Sequence, residues 1–322
     1  MRAVKGLKMS EWRMEMKKVI AVSLVIAAVF GAQVPVHAAD PAPSIVVIDT
    51  GTDPALFPGK IVAEACFLES YKCANGKQVM EGLGASYIAP TTNKDLNHGT
   101  QMLSIIAKVN PAANLIPIKI VERTPSGNPM LYTLASVKMA LDWVIANRVK
   151  YNIAVVSLSQ GGIKAGCRVP DGMVAQFATL KAANVPVIVS IGNNSSKTDS
   201  NVPACIADAV AVGGTDNPTP TSQPIAWDPT AKPYIARYNN VSSAVDFYAN
   251  ARWFTTNRDG SKKFIVGTSA ATASVAGWWL LNRKESFDAT YKYLVDNAGV
   301  ASNEWFTGKY IFIDSIPMGN AQ

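Results

Sequence analysis

The chain is predicted to be an α/β protein: a doubly wound, mostly parallel sheet with helices on both faces. Two observations predict it. From Ser44 onward, short apolar runs alternate with longer runs of helical period, the order that strand–helix–strand crossovers produce. Several short runs are apolar throughout instead of alternating, as strands covered on both faces must be.

The predicted strands are 44–48, 114–121, 153–158, 186–190 and 209–212, rich in Val, Ile and Ala. The predicted helices are 98–109, 130–149, 171–183, 269–281 and 287–297, lying between or after those strands. Residues 218–224, with three prolines, read as an exposed turn, and 305–316 offer a last strand-like pair. At the other end, Lys17 and Lys18 precede 14 largely apolar residues, 19–32. Val36-His37-Ala38 then has small residues at the flanking positions that a signal peptidase accepts. Fourteen residues are short for a membrane span. The expected organisation is a signal peptide, 1–38, followed by a single domain, 39–322.

Composition narrows the function. The full chain is 48% hydrophobic, and the part beyond the signal is long enough to enclose a large core. The net charge of +7 overstates the basicity of the domain, because six of the 30 Lys and Arg but only two of the 23 Asp and Glu lie in 1–38, leaving +3. No basic run survives that correction, so nucleic acid is not an expected partner. Four cysteines beyond the signal suit an oxidising compartment and two disulfides. Of three possible pairings we prefer Cys66 with Cys73, which closes a short loop, and Cys167 with Cys205, which flanks one helix–strand–loop unit. A metal site is not expected from one histidine and no C-x-x-C. The domain is expected to be secreted or periplasmic, monomeric, and free of the membrane once the signal is cut.

The chemistry centres on Gly267-Thr268-Ser269-Ala270-Ala271-Thr272, where small residues precede and follow a serine at the start of a predicted helix. Buried small-residue helices make a firm mount, and the first backbone N–H groups of the helix point at whatever lies above the serine. A serine nucleophile needs a base, and His98 is the one histidine beyond the signal. It stands in Asn97-His98-Gly99-Thr100, at another helix start. Asp49, at the end of a predicted strand and just before Thr50-Gly51, is placed to orient the imidazole.

In that order, Asp49-Thr50-Gly51, His98-Gly99-Thr100 and Gly267-Thr268-Ser269-Ala270-Ala271-Thr272 resemble the three signature blocks of the subtilisin-like serine proteases. The resemblance implies an Asp49, His98, Ser269 triad acting on a peptide or protein substrate. It also implies that Asn193, in Ser190-Ile191-Gly192-Asn193-Asn194, donates to the oxyanion beside the backbone N–H of Ser269. Ser159, Gln160 and Gly161 resemble the family's substrate-binding edge and would flank an extended peptide. Asn194 and Asn201 would line the deeper pocket, which would then carry no strong charge preference. Ala270, Ala273 and Ser274 stand where the family usually has Met and Pro-His, so the pocket's shape is expected to differ. No prodomain is recognised between Ala38 and Ser44. No cofactor is identified; a structural calcium fits the family, but no loop for it is recognised.

Two other readings use the same residues. Asp49-Thr50-Gly51 is also what an aspartic protease presents, but that chemistry needs two carboxylates, and no second Asp-Thr-Gly or Asp-Ser-Gly occurs. A catalytically inactive binding module on the same fold is the other. An esterase would want a G-x-S-x-G elbow, and Gly267 to Ala271 lacks its second glycine.

Overall fold

Strand β1, Ser44–Asp49, is buried along its whole length. Ile45 and Val47 join the cluster that contains Met102, Phe247 and Trp279, whereas Val46 and Ile48 join the one that contains Leu141, Trp143 and Phe177. Successive side chains of a strand point to opposite faces, so an unbroken apolar run is what a strand with helices on both sides requires. The computed structural model describes residues 42–88, 93–123, 130–163, 165–199, 201–216, 232–240 and 244–313. The predicted signal, the turn at 218–224 and the end of the predicted tail pair lie outside the described residues. The chain divides into units 1–41 and 42–322, and every described residue belongs to the second.

The central sheet also contains β2 (Ala65–Phe67), β3 (Val79–Glu81), β4 (Asn114–Lys119), β5 (Ile153–Leu158), β6 (Val187–Ser190) and β7 (Ala209–Asp216). It is completed by β8 (Tyr234–Ile235), β9 (Phe247–Asn250), β10 (Gly299–Ser302) and β11 (Thr307–Tyr310). Their order across the sheet is β8-β10-β11-β9-β7-β6-β5-β1-β4-β2-β3. From β9 to β2 every neighbouring pair is parallel. The chain leaves β1 for β4 on one side and then returns to β5 on the other, after which it continues outward through β6 and β7. Strand order therefore reverses at β1. In such sheets ligands bind beyond the carboxyl ends of the strands at that reversal, which is where Asp49 lies.

Among the described residues, five α-helices pack with the sheet: α1 (His98–Val109), α2 (Leu134–Asn147), α3 (Met173–Ala182), α4 (Thr268–Leu281) and α5 (Phe287–Asp296). Helix α2 begins at Leu134, not at 130, because the Thr133 hydroxyl accepts from the Ser136 N–H at 3.0 Å as an N-cap, while Met130–Leu131 pair with Glu122–Arg123 as a short ladder. Strand β7 runs on to Asp216 past the predicted end at 212. A side chain at Gly213 would start 2.6 Å from the Tyr248 ring, so glycine marks a close approach inside the strand. Strands β2, β3, β8, β9 and β10 and the hairpin of Arg252–Thr256 with Lys262–Val266 are not among the predicted elements. Both preferred disulfides are present, Cys66 with Cys73 and Cys167 with Cys205. No helix among the described residues is long and apolar enough to cross a membrane.

Helix α4 runs through the middle of the domain, with 11 of its 14 residues buried. It can do so because its side chains are small: Ala270, Ala271, Ala273 and Ala276 are wholly inaccessible. At its crossing with α1, a Cβ on Gly277 would fall 2.9 Å from Val109. Gly277→Val should therefore destabilise the protein by about 1–3 kcal/mol, the usual cost of overpacking a core, as measured by chemical denaturation.

Candidate active site

Asp49 ends β1 with 1% of its surface exposed, and His98 opens α1. Their two sequence blocks are locked together by close backbone contact. Gly51 has φ +91°, and a side chain there would strike the Ser86 carbonyl at 2.2 Å; one at Gly99 would strike the Gly51 carbonyl at 2.4 Å. The Gly99 N–H donates to the Thr50 hydroxyl at 2.8 Å, and the hydroxyls of Thr52 and Thr100 lie 2.8 Å apart. The start of α1 is thus pressed onto the turn that follows Asp49.

This brings the imidazole onto the carboxylate. His98 Nδ1 lies 2.8 Å from Asp49 Oδ1 and 2.9 Å from Oδ2, and the Thr50 N–H donates to Oδ1 at 2.7 Å. With Nδ1–H donating, the Nε2 lone pair is left free to take a proton. Burial works against a charged ring, but the Asp49 charge and its hydrogen bond, helped by the Asp95 charge, outweigh it. The net effect holds the His98 pKa above its ordinary value. On its outer side the ring borders a polar cleft of about 510 Å³, lined among others by Lys94, Asp95, Asp259 and Lys263.

Ser269 is the second residue of α4 and partly buried. It exchanges hydrogen bonds with Ser159: the Ser269 hydroxyl donates to the Ser159 carbonyl at 3.4 Å, and the Ser159 hydroxyl donates to the Ser269 carbonyl at 3.2 Å. In this rotamer the nucleophile candidate bonds to that carbonyl and not to the imidazole. Asn193, exposed at the end of the segment after β6, accepts the Thr268 N–H on Oδ1 at 3.0 Å. That contact fixes the amide's orientation, since only the oxygen can face a donor. Its Nδ2 lies beside Gly267, where a side chain would start 3.4 Å from it.

Gln160 is 8% exposed, and its amide donates to Asp49 Oδ1 at 3.1 Å. Asn201 is 5% exposed and lies between two glycines: a side chain at Gly161 would start 3.0 Å from its Cβ, and one at Gly192 would start 2.4 Å from its Oδ1. Short strand pairing of Asn201 and Val202 with Ile163 and Gly162 holds it there. Asn194 is bound through its backbone N–H to Asn240 Oδ1 at 2.9 Å, and Asn240 Nδ2 donates to Asn194 Oδ1 at 3.2 Å. Asn240, wholly buried, also accepts from the Ser196 N–H at 3.1 Å and so shapes the whole segment after Asn193. Sequence reasoning missed it, because an Asn-Asn pair in a turn-rich stretch carries no motif. Among the described residues no group of three or more His, Cys, Asp or Glu side chains is placed to hold a metal ion.

A sequence profile of the subtilase family matches residues 40–291. An extracellular serine proteinase of Thermus sp. (strain Rt41A) is 28% identical over 209 residues, 61% of this chain and 44% of that protein. Subtilisin Savinase of Lederbergia lenta is 27% identical over 206 residues, 60% of this chain and 66% of that one. The chain thus spans under two thirds of the length of these relatives. The crystal structure of a cold adapted subtilisin-like serine proteinase superposes with a TM-score of 0.56 at 22% identity, covering 83% of this chain and 87% of that one. At such identity the likeness is one of fold.

Proposed function

Because this chain belongs to the subtilase family, we propose that it is an exported serine endopeptidase. Ser269 is its nucleophile, His98 its general base and acid, Asp49 the carboxylate that orients the ring, and Asn193 with the Ser269 N–H its oxyanion donors. The observation that carries this reading is the Asp49–His98 pair, with both carboxylate oxygens within hydrogen-bond distance of Nδ1 and Nε2 left open. The Ser269 side chain turns from the Ser159 carbonyl toward Nε2, gives up its proton and attacks the scissile carbonyl. The oxyanion that forms is met by the Asn193 NH₂. The imidazolium then returns its proton to the departing amine, and water releases the acyl group by the same steps in reverse order. Two disulfides support export to an oxidising compartment.

The test is to treat the mature protein with a fluorophosphonate and map the modified peptide by mass. Labelling at Ser269 that disappears in His98→Ala supports the proposal. An unlabelled, folded protein would leave the binding-module reading in its place. Nothing favours an aspartic-protease reading, since the partners of Asp49 are the Thr50 N–H, the imidazole and the Gln160 amide, with no second carboxylate among them.

Two expected results follow from the geometry. Catalysis requires neutral imidazole, so kcat/KM should rise with pH, and the raised pKa of His98 puts the midpoint above about 6.5, its ordinary value. Asp95→Asn removes one of the charges that raise it and should move the midpoint down. Second, the residue before the cut would enter between segments 159–161 and 192–194, and Asn201 fills the space between Gly161 and Gly192. A small residue there should be preferred: in otherwise identical peptides, Ala should exceed Phe in kcat/KM by about 10-fold or more, with Asn201→Gly narrowing the gap.

A further inference from the structure

We propose that Gln160 is a positioning residue for the Asp49–His98 pair, holding the carboxylate in place and tempering the charge that the ring meets. The inference rests on the reading above but assigns Gln160 a part other than flanking the peptide.

The side chain is buried and makes its contacts where the two halves of the site meet. Its Nε2 lies 3.1 Å from Asp49 Oδ1 and 3.2 Å from His98 Nδ1. The amide NH₂ has no lone pair to offer, and Nδ1 carries the proton that bonds Asp49. The 3.2 Å approach is therefore two donors converging on one acceptor. Oδ1 accepts from three groups, the Thr50 N–H, His98 Nδ1 and Gln160 Nε2, whereas Oδ2 has only the longer contact to Nδ1. Three donors arriving from three chain segments prevent the carboxylate from rotating about its Cβ–Cγ bond.

The backbone explains why this position was available. Strand β5 pairs with β1 up to Leu158 opposite Ile48, so the next residues run past the end of β1. Consecutive residues of an extended segment point opposite ways. Ser159 accordingly reaches Ser269, and Gln160 reaches Asp49. One dipeptide thus spans both halves of the site.

A donor on Oδ1 draws negative potential away from the ring, so the imidazolium is stabilised less than a bare carboxylate would stabilise it. The other charged groups lining the cleft that the ring borders are Lys94 and Asp95 on the turn before α1 and Asp259 and Lys263 on the hairpin across it, and of these Asp95 acts on the ring. A change at position 160 leaves all four in place.

Gln160→Met keeps the length of the side chain and removes the donor; Gln160→Glu sets a second carboxylate against Asp49. In Gln160→Met, kcat should fall about 10-fold with KM within twofold, and the rising limb of kcat/KM should move to higher pH by roughly half a unit or more. Gln160→Glu should lose more and move further. The ring's titration, followed by NMR through the His98 Cε1–H signal assigned by its loss in His98→Ala, needs no turnover. It should shift upward in the same order. A raised KM with unchanged kcat and an unmoved midpoint would make Gln160 a peptide-flanking residue and overturn the proposal. So would equal losses in both variants with the NMR midpoint fixed, the mark of simple packing. If fluorophosphonate labelling fails while the NMR midpoint still moves, the catalytic reading falls and the positioning role stands.

Discussion

Ser269→Ala and His98→Ala are each expected to lower kcat by about 10⁴- to 10⁶-fold with little change in KM, and the double variant should be no slower than the worse of the two. In the proposed mechanism the proton that leaves Ser269 has one acceptor to go to, the Nε2 of a ring whose Nδ1 is tied to Asp49 at 2.8 Å and 2.9 Å. Without the hydroxyl the base has nothing to activate. Without the ring the hydroxyl keeps its bond to the Ser159 carbonyl and stays a weak nucleophile. Either deletion stops the same step, so the losses cannot add. Steady-state kinetics on the three variants decide the matter, and additive losses would refute the assignment. Both positions sit at the first turns of helices, so circular dichroism should show the variants folded.

With Asn193 as the proposed oxyanion donor, Asn193→Ala should lower kcat by about 100- to 1000-fold and leave KM nearly unchanged, because that interaction would form only as negative charge develops on the substrate oxygen. The structure offers a sharper companion. In Asn193→Asp, one carboxylate oxygen can still accept the Thr268 N–H, as Oδ1 does at 3.0 Å, so the segment keeps its place. The other oxygen then takes the place of the NH₂, offering no donor and repelling the oxyanion of the proposed mechanism. This variant should be at least as slow as the alanine one while unfolding at a similar denaturant concentration. A turn residue without a catalytic part would show the reverse, a drop in stability with near-normal kcat.

Long-range regularity was readable and local direction was not. The buried parallel strands announce themselves by unbroken apolar runs, and α1 was predicted residue for residue because its apolar period follows a Gly-containing start at His98-Gly99. Strands β2 and β9, at three and four residues, are too short to show a period, and what makes them strands is pairing with partners far along the chain. Glycines at 213 and 214 have two meanings, a break or a close approach, and the choice lies in Tyr248, over thirty residues away. The three signature blocks were visible by their resemblance to a known family, and in two of them the glycine admits no side chain, Gly51 and Gly99. Gln160 was visible as a residue but not as a direction, since one step along the chain decides whether a side chain meets Ser269 or Asp49. Asn240 had no signal at all, because its three partners, Asn194, Ser196 and Asn201, lie about forty residues before it.

Helix α4 carries Ser269 through the centre of the domain, and that burial has a kinetic consequence. Amides in its middle turns, around Ala273, have no local opening available, since any fraying that exposed them would separate α1 from the sheet. Their hydrogen exchange should report the unfolding of the whole domain. For an enzyme of the proposed kind, every unfolded copy is a substrate for its folded neighbours. Loss of activity in a concentrated sample should then follow second-order self-digestion drawn from the globally unfolded population, not gradual local wear of the site.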